Sequence, residues 1–473
     1  MRAVLETIND YLYGYVLVAL LVIVGIFCTL LTRGGQFTLL PDAVRSLARS
    51  RRASHGITSF QAFAVGIASR VGIGNIAGVA LALILGGPGA LFWMWVVALV
   101  GMATSLAESV LAQLFKRRHP DGSYRGGPAF YMEHGLGSRT LGKVFAALFI
   151  FAVGLCVCMV QANTVAGIFV ETHQVPTWVT GIFLMALVAP VVLGGVRSVA
   201  RVTEWLAPSM ALLYVAMVAV IIALHLPAVP GVFVDIFQGA FGWGEAAAGT
   251  TGGVLATVLH GARRGLFSNE AGLGTAPNAA GTATVAHPVS QGLIQSLGVF
   301  LDTIIVCTAT GLAILVTGTS LAVDPKMGAV LTQQAVVSGL GQWTATPVAV
   351  IILVFAYSTL LGCYSYSQVN IDFLGHRRHL HLLNGVVVTV AAGLGSVLEL
   401  KTVWALSDIA LGLLGILNLV TILVLSPWVL ALLRDYRAQR ARGVAEPVFD
   451  AAASAGLPRL LPTDAWSRQA DVG

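Results

Sequence analysis

Seven residues, Ser69-Arg70-Val71-Gly72-Ile73-Gly74-Asn75, sit at the centre of the apolar stretch Ser59 to Gly89. The stretch is long enough to cross a bilayer, yet its middle carries two glycines, a guanidinium and an amide. Glycine costs about 1 kcal/mol against alanine in a helix interior, and an arginine at mid-depth costs about 3 kcal/mol or more. Backbone that leaves the helix at such a depth is tolerated only where protein or a wet cavity satisfies it. The chemistry on offer is binding by the peptide itself, through freed N–H and carbonyl groups.

Two further stretches carry comparable groups. In Gly252 to His287, the residues Gly261-Ala262-Arg263-Arg264-Gly265, then Phe267-Ser268-Asn269-Glu270 and Gly272-Leu273-Gly274, are expected to break a helix. Pro277 opposes an uninterrupted return to it. The sequence Phe355-Ala356-Tyr357-Ser358-Thr359, followed by Gly362-Cys363-Tyr364-Ser365, sets two adjacent hydroxyls inside an apolar run. Such hydroxyls either bond back to the preceding turn or serve as hard neutral ligands for an alkali ion. With a broken helix elsewhere offering carbonyls, the ion is the favoured reading. Gln161 and Asn163 place two amides in another apolar run, suited to satisfying neighbouring backbone or, for Gln161, touching a ligand.

These groups need a membrane-embedded frame. The 473 residues are 57% hydrophobic and only 10% charged, with mean hydropathy +0.85. Soluble domains carry roughly 25% charged residues, so an all-α polytopic membrane protein is expected. About eleven apolar runs are of spanning length, at about 11–31, 59–85, 88–115, 140–169, 177–195, 203–226, 247–285, 289–318, 345–370, 382–398 and 403–433. With alternating spans and the N-terminus outside, Arg33 to Arg52, Lys116 to Lys143, Arg197 and Arg201, Arg377 and Arg378, and Arg434 to Arg468 all fall in the cytoplasm. Only Arg2, Lys326 and Lys401 fall outside, a strong positive-inside bias. The net charge of +6 thus reports topology and gives no reason to expect nucleic-acid binding. Met1 to Asp10 lacks the pattern of a cleavable signal peptide. Cys28, Cys156, Cys158, Cys307 and Cys363 lie in apolar runs and are read as packing residues.

Two broken spans, each opening a group of five, are the pattern of an inverted repeat. The expected division is a helix and basic loop over 1–58, repeats over 59–226 and 227–433, and a polar cytoplasmic tail over 434–473. A channel would show a continuous polar stripe, whereas the polar residues here cluster at the breaks. A membrane enzyme is disfavoured by the lack of an HExxH motif or a convincing Ser/His/Asp set. His287, His376, His379 and His381 fall at membrane edges, where solvation is expected. A proton-coupled carrier would need a titratable group such as Glu108, Glu270, Asp302 or His260.

The blocks VGIGNIAGVALALILGGPGALFWMW, ESVLAQLF, YRGGPAFYM, RGLFSNEAGLGTAPNAA and GVFLDTIIVCTATG make the chain resemble the alanine-or-glycine:cation symporter family over most of residues 59–430. That family is similar in fold to the leucine-transporter type, a 5+5 inverted repeat with broken first and sixth core helices, here with one extra N-terminal helix. The resemblance implies uptake of a small neutral amino acid across the bacterial inner membrane, with Na⁺ as coupling ion and no cofactor. On the matching positions, the carbonyls of Ala68 and Val71 with Ser358 and Thr359 would form the Na⁺ site. Gly72, Ile73 and Gly74 would offer N–H groups to the substrate carboxylate, and Asn75 would support either ligand. Gln161, Phe267, Ser268, Thr359 and Cys363 would line the pocket. Three positions depart from the common pattern: Ile73 where many members have Thr, Cys363 where many have Trp, and Arg70 in place of a small residue. The smaller Cys363 puts a strict alanine or glycine preference in doubt and keeps a larger substrate such as serine or glutamine open. Arg70 is expected either to pair with Glu108 or Glu270, or to face the cavity and disfavour an extra cation.

Overall fold

The structure, a computed structural model, describes residues 11–49, 56–242, 252–324, 327–375, 378–451, 457, 461, 465 and 466. Helix α1 (Val18–Leu31) follows a π-turn over Leu12–Leu17 and precedes a short amphipathic helix, α2 (Leu40–Arg49). The first expected break divides α3 (Ser59–Arg70) from α4 (Gly74–Gly86), which are bent by 47°. Then come α5 (Ala90–Leu114), α6 (Pro128–His134), α7 (Arg139–His173), α8 (Thr177–Leu193), α9 (Gly195–Leu224) and α10 (Leu226–Phe241). The second half holds α11 (Gly252–Asn269), α12 (Ala276–Ala280), α13 (Pro288–Val316), α14 (Gly328–Leu340), α15 (Ala345–Leu374), α16 (Arg378–Val397) and α17 (Leu400–Ala441). Every expected apolar run has a helical counterpart. Among the described residues, seven helices are long and apolar enough to cross a membrane, or eight with the bent pair, while α1, α8 and α10 are shorter apolar helices.

Packing divides the spans into two groups. Helices α11 and α13 lie along α5, and α4 lies against α11. Helices α7, α8, α15 and α16 pack on one another, and α9 touches both α3 and α15. The site sits between these groups, and α15 is the most buried spanning helix, with 78% of its apolar window inside the protein.

Local sequence explains where the helices start and stop. A capping box begins α3: Thr58 Oγ1 accepts from the Gln61 N–H at 3.0 Å, and the Thr58 N–H donates to Gln61 Oε1 at 3.1 Å. The box satisfies two of the donors that a helix start leaves open. Val71, with ψ of 84°, ends α3. The second break starts later than the sequence suggests. Gly261 to Gly265 remain helical, and the chain turns only at Glu270, Gly272 and Gly274, with φ of 57°, 80° and 76°. A Cβ on Gly261 would meet the Ala90 carbonyl and the Trp93 side chain, so this glycine serves close packing of α11 on α5. Gly272 and Gly274 hold left-handed backbone, which glycine adopts without a Cβ penalty.

The arginine-rich segments meet at one end of the bundle. Arg440 at the end of α17 pairs with Asp42 of α2 at 2.8 Å, Arg437 donates to the Thr32 carbonyl at 2.6 Å, and Arg197 donates to the Asp121 carbonyl at 3.1 Å. The tail begins as helix, to Ala441, and then lies over this end. The Phe449 N–H donates to the Ala286 carbonyl at 2.9 Å, and the Trp466 indole donates to the Gln113 and Leu114 carbonyls at 3.2 Å. Arg2, Arg51, Arg52, Lys326, His376, Arg377, Arg459 and Arg468 lie outside the described residues. His287 is not solvated: it is buried, lies 3.2 Å from Asp435 and stacks edge-on against Tyr436 and Phe449. The tail crossing over it is what removes it from water. His381 is also held, 3.2 Å from the buried Asp372, while His379 is exposed.

Packing of α11 on α5 yields a test. Gly261→Val overpacks the contact with Ala90 and Trp93, a change costing about 1–3 kcal/mol. The expected result is a clear fall in Tm of the detergent-purified protein; an unchanged Tm would contradict the close approach.

Candidate functional site

At the first break, carbonyl groups turn toward α15. Ser358 Oγ donates to the Ala68 carbonyl at 3.1 Å, and Thr359 Oγ1 lies 3.2 Å from the carbonyls of both Ala68 and Ser69. Both hydroxyls also reach back to the Phe355 carbonyl, at 2.8 and 3.2 Å. The two readings of this pair are therefore not exclusive, because the hydroxyls bond their own helix and span the gap to α3. The break's N–H groups turn the other way. The Gly72 N–H donates to Asn75 Oδ1 at 2.9 Å, and the Ile73 N–H donates to Gln161 Oε1 of α7 at 3.2 Å. All these groups are buried, where an unmatched N–H costs about 1–3 kcal/mol.

The second break is held by acidic residues. Glu108 of α5 accepts from the Gly272 N–H at 3.3 Å, the Gly274 N–H at 3.2 Å and Asn418 Nδ2 at 2.7 Å. Asn418 also takes the Tyr131 hydroxyl and donates to the Gly272 carbonyl at 2.9 Å. Asp302 of α13 joins the two breaks. Its Oδ1 accepts from Asn75 Nδ2 at 2.6 Å and its Oδ2 from Ser268 Oγ at 2.9 Å. It sits in a π-helical segment, Phe300–Cys307. Two more π segments, Gly74–Gly78 and Ile150–Val157, also face the site, where such distortions are frequent. Glu270 accepts from Ser69 Oγ at 3.0 Å, a second tie between the broken helices.

Arg70 does not pair with Glu108 or Glu270. Its Nη1 donates to the carbonyl and Oε1 of Gln295, at 3.1 and 3.2 Å, and its Nη2 to Ser105 Oγ at 3.2 Å; among the described residues it makes no ion pair. The reason is geometric. Glu108 is committed to the turn at Gly272 and Gly274 and Glu270 to Ser69, while α5 and α13 bring neutral acceptors to the guanidinium.

Between the breaks lies a cavity of about 10 Å³, lined among others by Gly72, Gly74, Gln161, Phe267, Glu270 and Thr359. That is about one water, so the site is closed down. A larger cavity of about 580 Å³ opens beyond it, toward Asn163, Arg263, Arg264, Lys401 and Asp408. A stacked column separates the two: the Arg264 guanidinium lies 4.4 Å over Trp404, whose ring is 4.7 Å from Phe267. Arg263 and Arg264 both reach Asp408 Oδ2, at 2.7 and 3.2 Å. At the arginine-rich end a third cavity of about 300 Å³ is lined by His119, Arg125, Gln368 and His381. There the buried Asp372 takes Arg125 at 2.5 Å and lies 3.8 Å from His119. Burial, with the neighbouring Arg125, holds the His119 imidazole below its usual pKa.

The structure thus gathers Ala68, Gly72, Ile73, Asn75, Gln161, Ser358 and Thr359 around the first break. Val71 is the non-helical residue that ends α3. Gly74 abuts Phe267 and Ser268, whose side chains face the cavity and Asp302 respectively. Cys363 lies one turn further along α15, buried beside Cys158 and not among the residues lining the small cavity. Asn163 serves backbone, donating to the Gly395 and Leu398 carbonyls at 2.8 and 2.6 Å. Sequence reasoning left Asn418 out, and it treated Glu108 and Asp302 as proton-carrying candidates or structural partners, Glu108 also as a partner for Arg70, without placing either at a break. The signal for all three was a carboxylate or amide isolated in an apolar run.

The family model described as "Sodium:alanine symporter family" matches residues 1–451. Among curated relatives, the "Probable sodium/glutamine symporter GlnT" of Bacillus subtilis is 40% identical over 455 residues, covering 95% of this chain and 94% of the relative. The "Sodium/alanine symporter AgcS" of Methanococcus maripaludis is 36% identical over 422 residues, covering 87% and 91%. Among solved structures, MhsT in complex with L-phenylalanine aligns with a TM-score of 0.56 at 15% identity, covering 78% of this chain and 89% of that one. At that identity the likeness shows the fold alone, which is of the leucine-transporter kind.

The cradle at the second break can be tested directly. Glu108→Ala leaves the Gly272 and Gly274 amides and the Asn418 side chain without this acceptor, at about 1–3 kcal/mol each. The expected outcome is a markedly lower Tm with helix content retained by circular dichroism, and a smaller loss for Glu108→Gln.

Proposed function

The chain belongs to the sodium:alanine symporter family, and from that premise we propose that it imports a small neutral amino acid, alanine or glycine foremost, together with Na⁺. Like its family, it is a multi-pass membrane transporter and not an enzyme. The observation that carries the proposal is the meeting of Ser358 and Thr359 with the Ala68 carbonyl across the gap between α15 and the first break. These are hard, neutral oxygens on two different helices, the ligand type that suits an alkali cation. The Val71 carbonyl completes the set we assign to Na⁺.

A zwitterion needs partners for both ends in low dielectric. The N–H groups of Gly72, Ile73 and Gly74, at the start of α4, are assigned to the carboxylate, helped by the helix dipole. Phe267, Ser268, Gln161 and Thr359 form the remaining walls in this reading, with Cys363 one turn behind them on α15, and Asn75 sits between the two ligands. Na⁺ and substrate together stabilise the closed site more than either alone, which is coupling by linkage. The repeats over 59–226 and 227–433 then exchange access by rocking one packing group against the other. The arginine-rich end is assigned to the cytoplasm of a bacterial cell, the N-terminus to the outside and the 434–473 tail to the inside. On this assignment the cavity of about 580 Å³ is the outer vestibule.

A proton-coupled carrier is the second reading, favoured by the burial of Asp302 between Asn75 and Ser268. Proteoliposome uptake of alanine, glycine, serine and glutamine, with Na⁺ or choline outside, distinguishes the two. Alanine and glycine uptake driven by the Na⁺ gradient is expected, and uptake of none of the four in either salt would overturn the proposal. In Ser358→Ala and Thr359→Ala, loss of one ion ligand worth about 1.5–3 kcal/mol raises the half-saturating Na⁺ concentration by about tenfold or more. An unchanged Na⁺ dependence in both variants would remove the assigned cation site.

A further inference from the structure

With the site closed, two side-chain amide oxygens already lie on the N–H groups assigned to the substrate. Asn75 Oδ1 accepts from Gly72 N–H at 2.9 Å, and Gln161 Oε1 accepts from Ile73 N–H at 3.2 Å. We propose that Gln161 and Asn75 are built-in stand-ins for a carboxylate: in the unloaded protein their oxygens fill the carboxylate seat, and only a ligand with a carboxylate displaces Gln161 from it. The inference rests on the functional reading above and deepens it by naming what the substrate must replace.

The two stand-ins are not equivalent. Asn75 is fixed, because its Nδ2 donates to Asp302 Oδ1 at 2.6 Å and to the Asp302 carbonyl at 3.3 Å, so its oxygen is turned toward Gly72. Gln161 comes from α7, in the other packing group, and its oxygen crosses the gap to the break. Its withdrawal breaks a contact between the first break and α7, so occupancy of the seat is felt at the interface that has to move. The crowding is real: a Cβ on Gly72 would lie 3.3 Å from Gln161 Oε1 and in collision with Thr359. The free space of about 10 Å³ leaves no room for an amino acid while Gln161 stays.

Chemistry gives the exchange its direction. An ionised carboxylate accepts roughly twice as strongly as a neutral amide oxygen, so a substrate carboxylate gains on replacing Gln161. An amine or an amino-acid amide offers no such acceptor, and the stand-in keeps its place. Gln161 is then a specificity-determining residue that acts against ligands lacking a carboxylate. It also spares the empty site an orphaned buried N–H.

Equilibrium binding of radiolabelled alanine, glycine, serine and glutamine to the purified full chain, with Na⁺ or choline, tests this. The wild type is expected to bind at least one of them in Na⁺ and to ignore alaninamide. Absence of any wild-type binding would fail the transport reading itself and take this inference with it. Given wild-type binding, Gln161→Met removes the competing oxygen at similar volume and is expected to tighten binding about tenfold; weaker or unchanged binding overturns the inference, since a direct ligand would lose affinity. Gln161→Glu supplies a tethered carboxylate and is expected to lose amino-acid binding while ²²Na⁺ binding persists. Undiminished amino-acid binding in that variant would equally overturn it. Monodisperse elution of both variants confirms that each is folded.

Discussion

A peptide group inside a bilayer must find a hydrogen-bond partner, and two segments of this chain leave their helices where water does not reach. Each unmatched buried group costs about 1–3 kcal/mol, so the surrounding helices are arranged around this demand. At the second break the answer is permanent: Glu108, itself fixed by Asn418, holds two amides. At the first break the partners are neutral side-chain oxygens and hydroxyls, weaker acceptors and donors that a charged ligand can replace. The difference between a carboxylate clamp and an amide clamp separates a structural break from an exchangeable one.

Asp302 and Glu270 make the two breaks one unit. Asp302 holds Asn75 of the first and Ser268 of the second, and Glu270 holds Ser69. A ligand that alters one broken helix therefore acts on both. In contrast, Gln161, Ser358 and Thr359 link this unit to α7 and α15 through uncharged hydrogen bonds. Strong ties within a group and weak ties between groups are what a rigid-body motion requires.

Much of this was legible in the sequence, for identifiable reasons. The first break announced itself because glycine, arginine and asparagine together have no place at the centre of a lipid-facing helix. The hydroxyl pair at Ser358 and Thr359 stood out for the same reason. The second break was placed too early, since Gly261 and Gly265 read as helix breakers but lie against α5, where small residues let backbones approach. Nothing local distinguishes a packing glycine from a turning one; the partner helix decides. Arg70 was expected either to seek a carboxylate or to face the cavity, and of the carboxylates it would have used Glu108 is taken by backbone amides and Glu270 by the Ser69 hydroxyl. His287 looked solvated because the tail that covers it is distant in sequence. These failures share one cause, that pairing across long sequence separations is invisible to a reading of local pattern.

The closed site bears on how an ion and a zwitterion could be coupled at all. In this geometry the hydroxyls of α15 meet the Ala68 and Ser69 carbonyls of α3, while the Gln161 amide of α7 meets the Ile73 N–H a few residues further on. The proposed cation seat and the proposed carboxylate seat are thus opposite faces of one short peptide turn. Of the peptide units concerned, Val71–Gly72 carries both a carbonyl assigned to the cation and an N–H assigned to the carboxylate, so a cation drawn to that carbonyl polarises that N–H without direct contact between the ligands. Coupling of this kind needs only that the turn remain the shared element. It explains why the break spans so few residues: a longer loop would give each ligand its own peptide groups and leave the two binding events independent.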